Sequence, residues 1–156
     1  TPVSNLQIVF SKFLASWIFY GLMWLPLWGF MVWLGQFFND PEYLDAGIVG
    51  GTALGVMLLG GLFLAIGCLA SAATKSQLIA AMLALTLEMV LFMLSFVIEL
   101  LPDQSGWQAT LFGHICLFDH MGDFVRGIIN GSHLIFYFTG TGLFLFLTWR
   151  WVESRK

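Results

Sequence analysis

Glu88 stands where a charge is most expensive, eleven residues from either end of the stretch 77–99, which is otherwise uncharged up to Glu99. A carboxylate at that depth in hydrocarbon pairs, faces water or keeps its proton, and such residues mark substrate and ion paths. The structural alternative is a hydrogen bond to another span, with Thr139 or Thr141 as partners at similar depth. A second group gathers His114, Asp119, His120, Asp123 and Arg126. Asp119 and Asp123 are one helical turn apart, which favours helix capping and an Asp–Arg or Asp–His pair over a metal site. No C-x-x-C or paired-His spacing supports a metal, and no metal or other cofactor is expected. His133 stands alone at the outer boundary. No span carries the Ser/His, paired-Asp or His-rich set that an intramembrane hydrolase needs. Ser4 and Gln7, with Asn5 between, have the spacing of a capping box that starts a helix.

The elements that position these residues follow from composition. The 156 residues are 59% hydrophobic, 17% aromatic and 10% charged. Soluble domains carry about 25% charged residues, and a chain this small cannot hide so large an apolar share in one core. Its net charge of -3 excludes a nucleic-acid partner and leaves the lipid bilayer as its solvent. Three further uncharged runs, between Lys12 and Asp40, Asp45 and Lys75, and Arg126 and Arg150, join the stretch around Glu88. Each is long enough to cross, since a spanning helix needs roughly 20 residues. The expected fold is all-α and integral to the membrane, with spans at about 14–38, 46–71, 77–99 and 132–152. A fifth uncharged run, 104–118, is too short to cross. It joins a short outer hairpin, 102–131, of two re-entrant or interfacial helices.

Four spans place both ends and the link 71–77 on one side, with five of the six Lys and Arg residues. The positive-inside rule puts that side in the cytoplasm of a cell inner (plasma) membrane. Cys68 and Cys116 then lie at opposite faces of the bilayer, so no disulfide joins them. An amphipathic lead-in with Leu6, Val9, Phe10 and Phe13 on one face runs into the first span, where Pro26 is expected to kink the helix. Trp17, Trp24, Trp28 and Trp33 read as lipid or interface anchors. Gly47, Gly51 and Gly55 recur every four residues in the second span, with Gly60, Gly61 and Gly67 beyond, as in a closely packed interior helix. Trp107, Leu111, Phe112, Ile115 and Phe118 space as one face of the first hairpin limb, and His120, Asp123 and Arg126 fall on the second.

Three stretches together resemble one known family. Pro2-Val3-Ser4, then Gln7-Ile8-Val9 and Lys12-Phe13-Leu14-Ala15, are similar to the cytoplasmic approach of type-2 ABC transporter permeases. Ala65-Ile66-Gly67-Cys68-Leu69-Ala70-Ser71, leading to Thr74-Lys75-Ser76-Gln77, resembles their helix–link–helix. His120-Met121-Gly122-Asp123-Phe124-Val125-Arg126-Gly127-Ile128 resembles the outer segment of the gliding-motility branch. The resemblance implies a six-span subunit of which residues 1–156 form one transmembrane domain holding the last four spans, with sequence upstream of Thr1. It implies export driven by a separate ABC ATPase subunit, with a second permease subunit completing a homo- or heterodimer. Ser4, Asn5 and Gln7 would meet the ATPase, with 73–76 and the tail less directly involved. His120, Asp123, Arg126 and Gly127 would belong to a hairpin capping the exit, and Glu88 matches no family motif. The chain contains no G-x-x-x-x-G-K-[ST] loop, so it is not expected to be an enzyme itself. The alternative is an ATP-independent channel or secondary transporter working through Glu88.

Overall fold

The computed structural model describes residues 4–38, 45–100 and 116–154. They form five helices: α1 (Asn5–Phe38), α2 (Ala46–Ala73), α3 (Gln77–Leu100), α4 (Leu117–Val125) and α5 (Gly131–Ser154). Four of these, α1, α2, α3 and α5, are long and apolar enough to cross a membrane. Helices solve the problem of crossing lipid because each backbone N–H and C=O is satisfied within the segment. Hydroxyls follow the same logic: Thr52, Thr86 and Thr148 donate to the carbonyls of Ile48, Met82 and Phe144 at 2.7–2.8 Å. The chain is a multi-pass, all-α membrane protein.

The expected capping box is visible in its hydrogen bonds. The Gln7 N–H donates to Ser4 Oγ at 3.3 Å, and the Ser4 N–H donates to Gln7 Oε1 at 3.1 Å. This reciprocal pair starts α1 well before residue 14, and the helix runs unbroken through Pro26. The lead-in and the first span are one element. Asp45 caps α2 by accepting from the Gly47 N–H at 2.8 Å. Only Thr74, Lys75 and Ser76 separate α2 from α3, so the two are antiparallel neighbours.

Helix α2 is the centre of the bundle. Its most apolar window is 39% buried, against 6% for α3 and 11% for α1 and α5. It packs on all four other helices, and its Leu62 and Ile66 meet Tyr137, Phe124 and Leu117 in the core. The glycines explain how. Tyr20 Oη donates to the Val56 carbonyl at 3.3 Å, and Trp17 Nε1 donates to the Met57 carbonyl at 3.1 Å. Gly60 and Gly61, four residues further along, are the positions whose side chains would block those rings: a Cβ on Gly60 would strike the Tyr20 ring, and one on Gly61 would lie 3.2 Å from Trp17 Nε1. Trp17 is therefore an interhelical donor, with part of its ring still exposed. Trp33, by contrast, is exposed and stacks on Phe30 and Phe37 of its own helix.

The first hairpin limb lies outside the described residues; the second is α4. Phe118, expected on the first limb, belongs to α4 and packs edge-on against Phe92 of α3 at 5.0 Å.

Candidate functional site

Helix α4 is held at three points, each by a different neighbour. Its start rests on α3: the Leu117 N–H donates to the buried Ser95 Oγ at 3.1 Å, and the Cys116 thiol contacts the Ser95 carbonyl at 3.8 Å. The first amides of a helix have no intrahelical partner, and here a serine from another span supplies one. Burial pushes the Cys116 thiol above its ordinary range, which makes it a poor nucleophile.

The flank of α4 rests on α2. Phe124 is fully buried and covers Gly55, where a Cβ would come within 2.8–3.0 Å of its side chain. At Gly51 the obstacle is backbone, since a Cβ would lie 2.5 Å from the Phe124 carbonyl oxygen and 3.1 Å from Gly127 Cα. The N-terminal half of the glycine stripe therefore seats the short helix.

The end of α4 turns into α5 through a Schellman motif. The Ile128 N–H donates to the Asp123 carbonyl at 2.9 Å, and the Gly127 N–H donates to the Phe124 carbonyl at 3.0 Å. Gly127 takes the required left-handed conformation, φ 74°. A Cβ there would lie 3.1–3.2 Å from the backbone of Gly47 and Ile48, a tight fit. This turn brings Asp123 and His133 together. His133 Nε2 and Asp123 Oδ2 are 2.8 Å apart, and the His133 ring lies 4.1 Å from that of His120. Tyr137, fully buried, closes the cluster with its ring 5.7 Å from His120.

These contacts change the sequence expectation for several residues. His133 is not alone: it is the partner of Asp123, ten residues away across the turn. Arg126 is exposed and acts through its backbone, donating its N–H to the Gly122 and Asp123 carbonyls. His120, Asp123 and Gly127 do meet in one place, while His114 lies outside the described residues. Ser95, Phe124 and Tyr137 complete the site; Phe124 lay in the stretch that carries the resemblance, whereas Ser95 and Tyr137 carried no local signal in the sequence.

Chemically, the cluster is an imidazole–carboxylate pair with aromatic walls. When Asp123 accepts from Nε2–H, the neutral ring keeps its lone pair on Nδ1. That nitrogen and Tyr137 Oη have no hydrogen-bond partner among the described residues. No group of three His, Cys, Asp or Glu side chains is arranged to hold a metal among the described residues.

Glu88 sits apart. It is half-buried on the stripe of α3 that also carries Ala84, Leu91 and Ser95, and Leu91 and Ser95 are the residues of that stripe that touch the core and α4. Neither Thr139 nor Thr141 bonds to it: Thr139 is exposed and lines an open groove on α5 with Ile135 and Leu143. Ser4, Asn5 and Gln7 lie at the opposite end of the bundle, where α1 begins.

No protein-family model, curated protein or solved structure matches the chain.

Proposed function

We propose that this chain is a membrane-spanning permease subunit of an ATP-binding-cassette exporter, contributing to the substrate path and driven by a separate ATPase. The observation that carries the reading is the seating of α4. A nine-residue helix, overlapping the stretch that resembles the outer segment of gliding-motility-type permeases, is wedged between α2, α3 and α5 at one end of the spans. The capping box at the other end supplies a rigid, polar helix start suited to docking a partner. ATP shifts such a bundle only if its inward and outward states dock the ATPase differently. The ends that carry most of the Lys and Arg residues face the cytoplasm in this reading, and the α4 end faces outward.

The test is co-purification with the ATPase encoded beside the gene, followed by ATP hydrolysis and transport in vesicles. Replacing Ser4, Asn5 and Gln7 together with Ala removes a cap worth about 1 kcal/mol, so the spans stay folded. ATPase binding is expected to weaken by about tenfold and transport to lose its dependence on ATP. Unchanged coupling in that variant overturns the docking assignment, and no co-purifying ATPase overturns the permease reading.

A second reading rests on Glu88, a half-buried carboxylate that makes no hydrogen bond or ion pair among the described residues. In it the chain is an ATP-independent channel or secondary transporter. In this reading transport needs no ATP, and Glu88→Gln is expected to change its pH profile. A rate and profile equal to wild type remove Glu88 from the pathway. Transport driven by a proton gradient without ATP, and abolished in Glu88→Gln, selects the second reading.

A further inference from the structure

We infer that the cleft between α1, α2 and α5, at the end opposite α4, binds the phosphate head-group of an anionic phospholipid. The cleft encloses about 610 Å³, within the range of small-ligand sites, about 300–1,000 Å³. Its walls are apolar, with Val9, Leu64 and Val152 among them, and Lys12 is its one ionisable cation among the described residues. The inference rests on membrane insertion alone and not on how transport is energised.

Three features make this a site for a charged amphiphile rather than a packing gap. First, Lys12 pairs with no carboxylate among the described residues. An unneutralised ammonium beside apolar surface attracts an anion that brings its own apolar part. Second, the cation lies near the end of the spans, where lipid head-groups gather. Lys12 is two turns into α1, Cys68 is five residues from the end of α2, and Thr148 is six from the end of α5. Third, the floor of the cleft is open by sequence. Gly67 has nothing within 4 Å of where a Cβ would stand, unlike Gly60 and Gly61 on the same helix. Ser71 lines the cleft, and its hydroxyl makes no hydrogen bond among the described residues, so it is available to donate to a phosphate oxygen. The hydroxyls of Ser16 and Thr148 are already committed to the carbonyls of Lys12 and Phe144.

The full chain is delipidated in detergent and titrated with phosphatidylglycerol, phosphatidylcholine or inorganic phosphate, with bound lipid counted by native mass spectrometry. Wild type is expected to prefer phosphatidylglycerol over phosphatidylcholine by about fivefold, the discrimination one lysine supplies at a lipid surface. Lys12→Gln should abolish the preference and Lys12→Arg should keep it. Gly67→Leu, which fills the floor and leaves Lys12 in place, should lower phosphatidylglycerol binding as well. Lys75→Gln, on the α2–α3 link outside the cleft, should change nothing. Three results overturn the inference: equal loss in Lys75→Gln and Lys12→Gln, which would mean diffuse attraction; full binding in Gly67→Leu; or competition by inorganic phosphate as strong as by the lipid, which would mean a free-phosphate site.

Discussion

Gly51→Ala is expected to unseat α4, whereas Gly50→Ala, one position away, leaves it in place. The difference lies in what the new methyl meets. At Gly51 it lies 2.5 Å from the Phe124 carbonyl oxygen and 3.1 Å from Gly127 Cα, while at Gly50 nothing stands within 4 Å. Backbone atoms cannot rotate away as a side chain does, so α4 must move as a body. Its movement exposes Cys116, which is fully buried when Ser95 holds the start of the helix. In a Cys68→Ser background, labelling of Cys116 by a membrane-impermeant maleimide should rise about tenfold in Gly51→Ala, the effect of about 1.4 kcal/mol on a local opening. Gly50→Ala and Gly122→Ala, both free of contacts, should label at the wild-type rate. Gly127→Ala should behave like Gly51→Ala for two added reasons. Its φ of 74° costs an L-residue about 1–2 kcal/mol, and the added Cβ would lie 3.1–3.2 Å from the Gly47 backbone, which must give way slightly. Equal labelling of Gly51→Ala and Gly50→Ala would refute the seat.

Asp123→Ala is expected to destabilise the bundle by about 1–3 kcal/mol, because it strands the His133 ring in a mostly buried site without its charge-assisted bond. The side chain of His133 is 11% exposed and that of Asp123 33%, so the pair is shielded but not sealed from solvent, and the value belongs below that of a fully buried ion pair. His133→Leu should cost a similar amount. The double variant should cost less than the sum, with a coupling of about 0.5–3 kcal/mol for side chains in direct contact. Detergent-induced unfolding followed by far-ultraviolet circular dichroism measures all four corners of the cycle. Asp119→Asn is the control. Asp119 is exposed in the first turn of α4, where a carboxylate contributes only about 0.3–1 kcal/mol through the helix dipole. Strict additivity of Asp123→Ala and His133→Leu would remove the latch between α4 and α5.

The two experiments probe one device. Helix α4 reaches α3 through Ser95, α2 through the Gly51–Gly55 seat, and α5 through Asp123–His133. If the chain is an exporter permease, moving any one of those spans must move α4 or break a contact. Transport assays on the same variants therefore connect the packing at this end to function.

Composition and spacing were enough to set the solvent, the number of crossings and the start of α1. Those properties depend on neighbours close in sequence, such as Ser4 with Gln7, or on hydropathy summed over the length of a span. The glycine stripe of α2 was legible as a surface of close approach, but not what approaches it. Tyr20 reaches Val56 across 36 positions and Trp17 reaches Met57 across 40, and no local pattern encodes such a register. The same holds at α4. Asp123 was visible as a pairing carboxylate, yet its partner was decided by the left-handed turn at Gly127, which swings His133 back over the helix. Sequence alone determined which segments enter the bilayer, because the hydrophobic cost of misplacing a whole span overwhelms any single contact. Only the tertiary structure decided which polar groups meet inside it, because each such bond is worth about 1 kcal/mol and depends on angstrom-scale packing of glycines against rings and backbone.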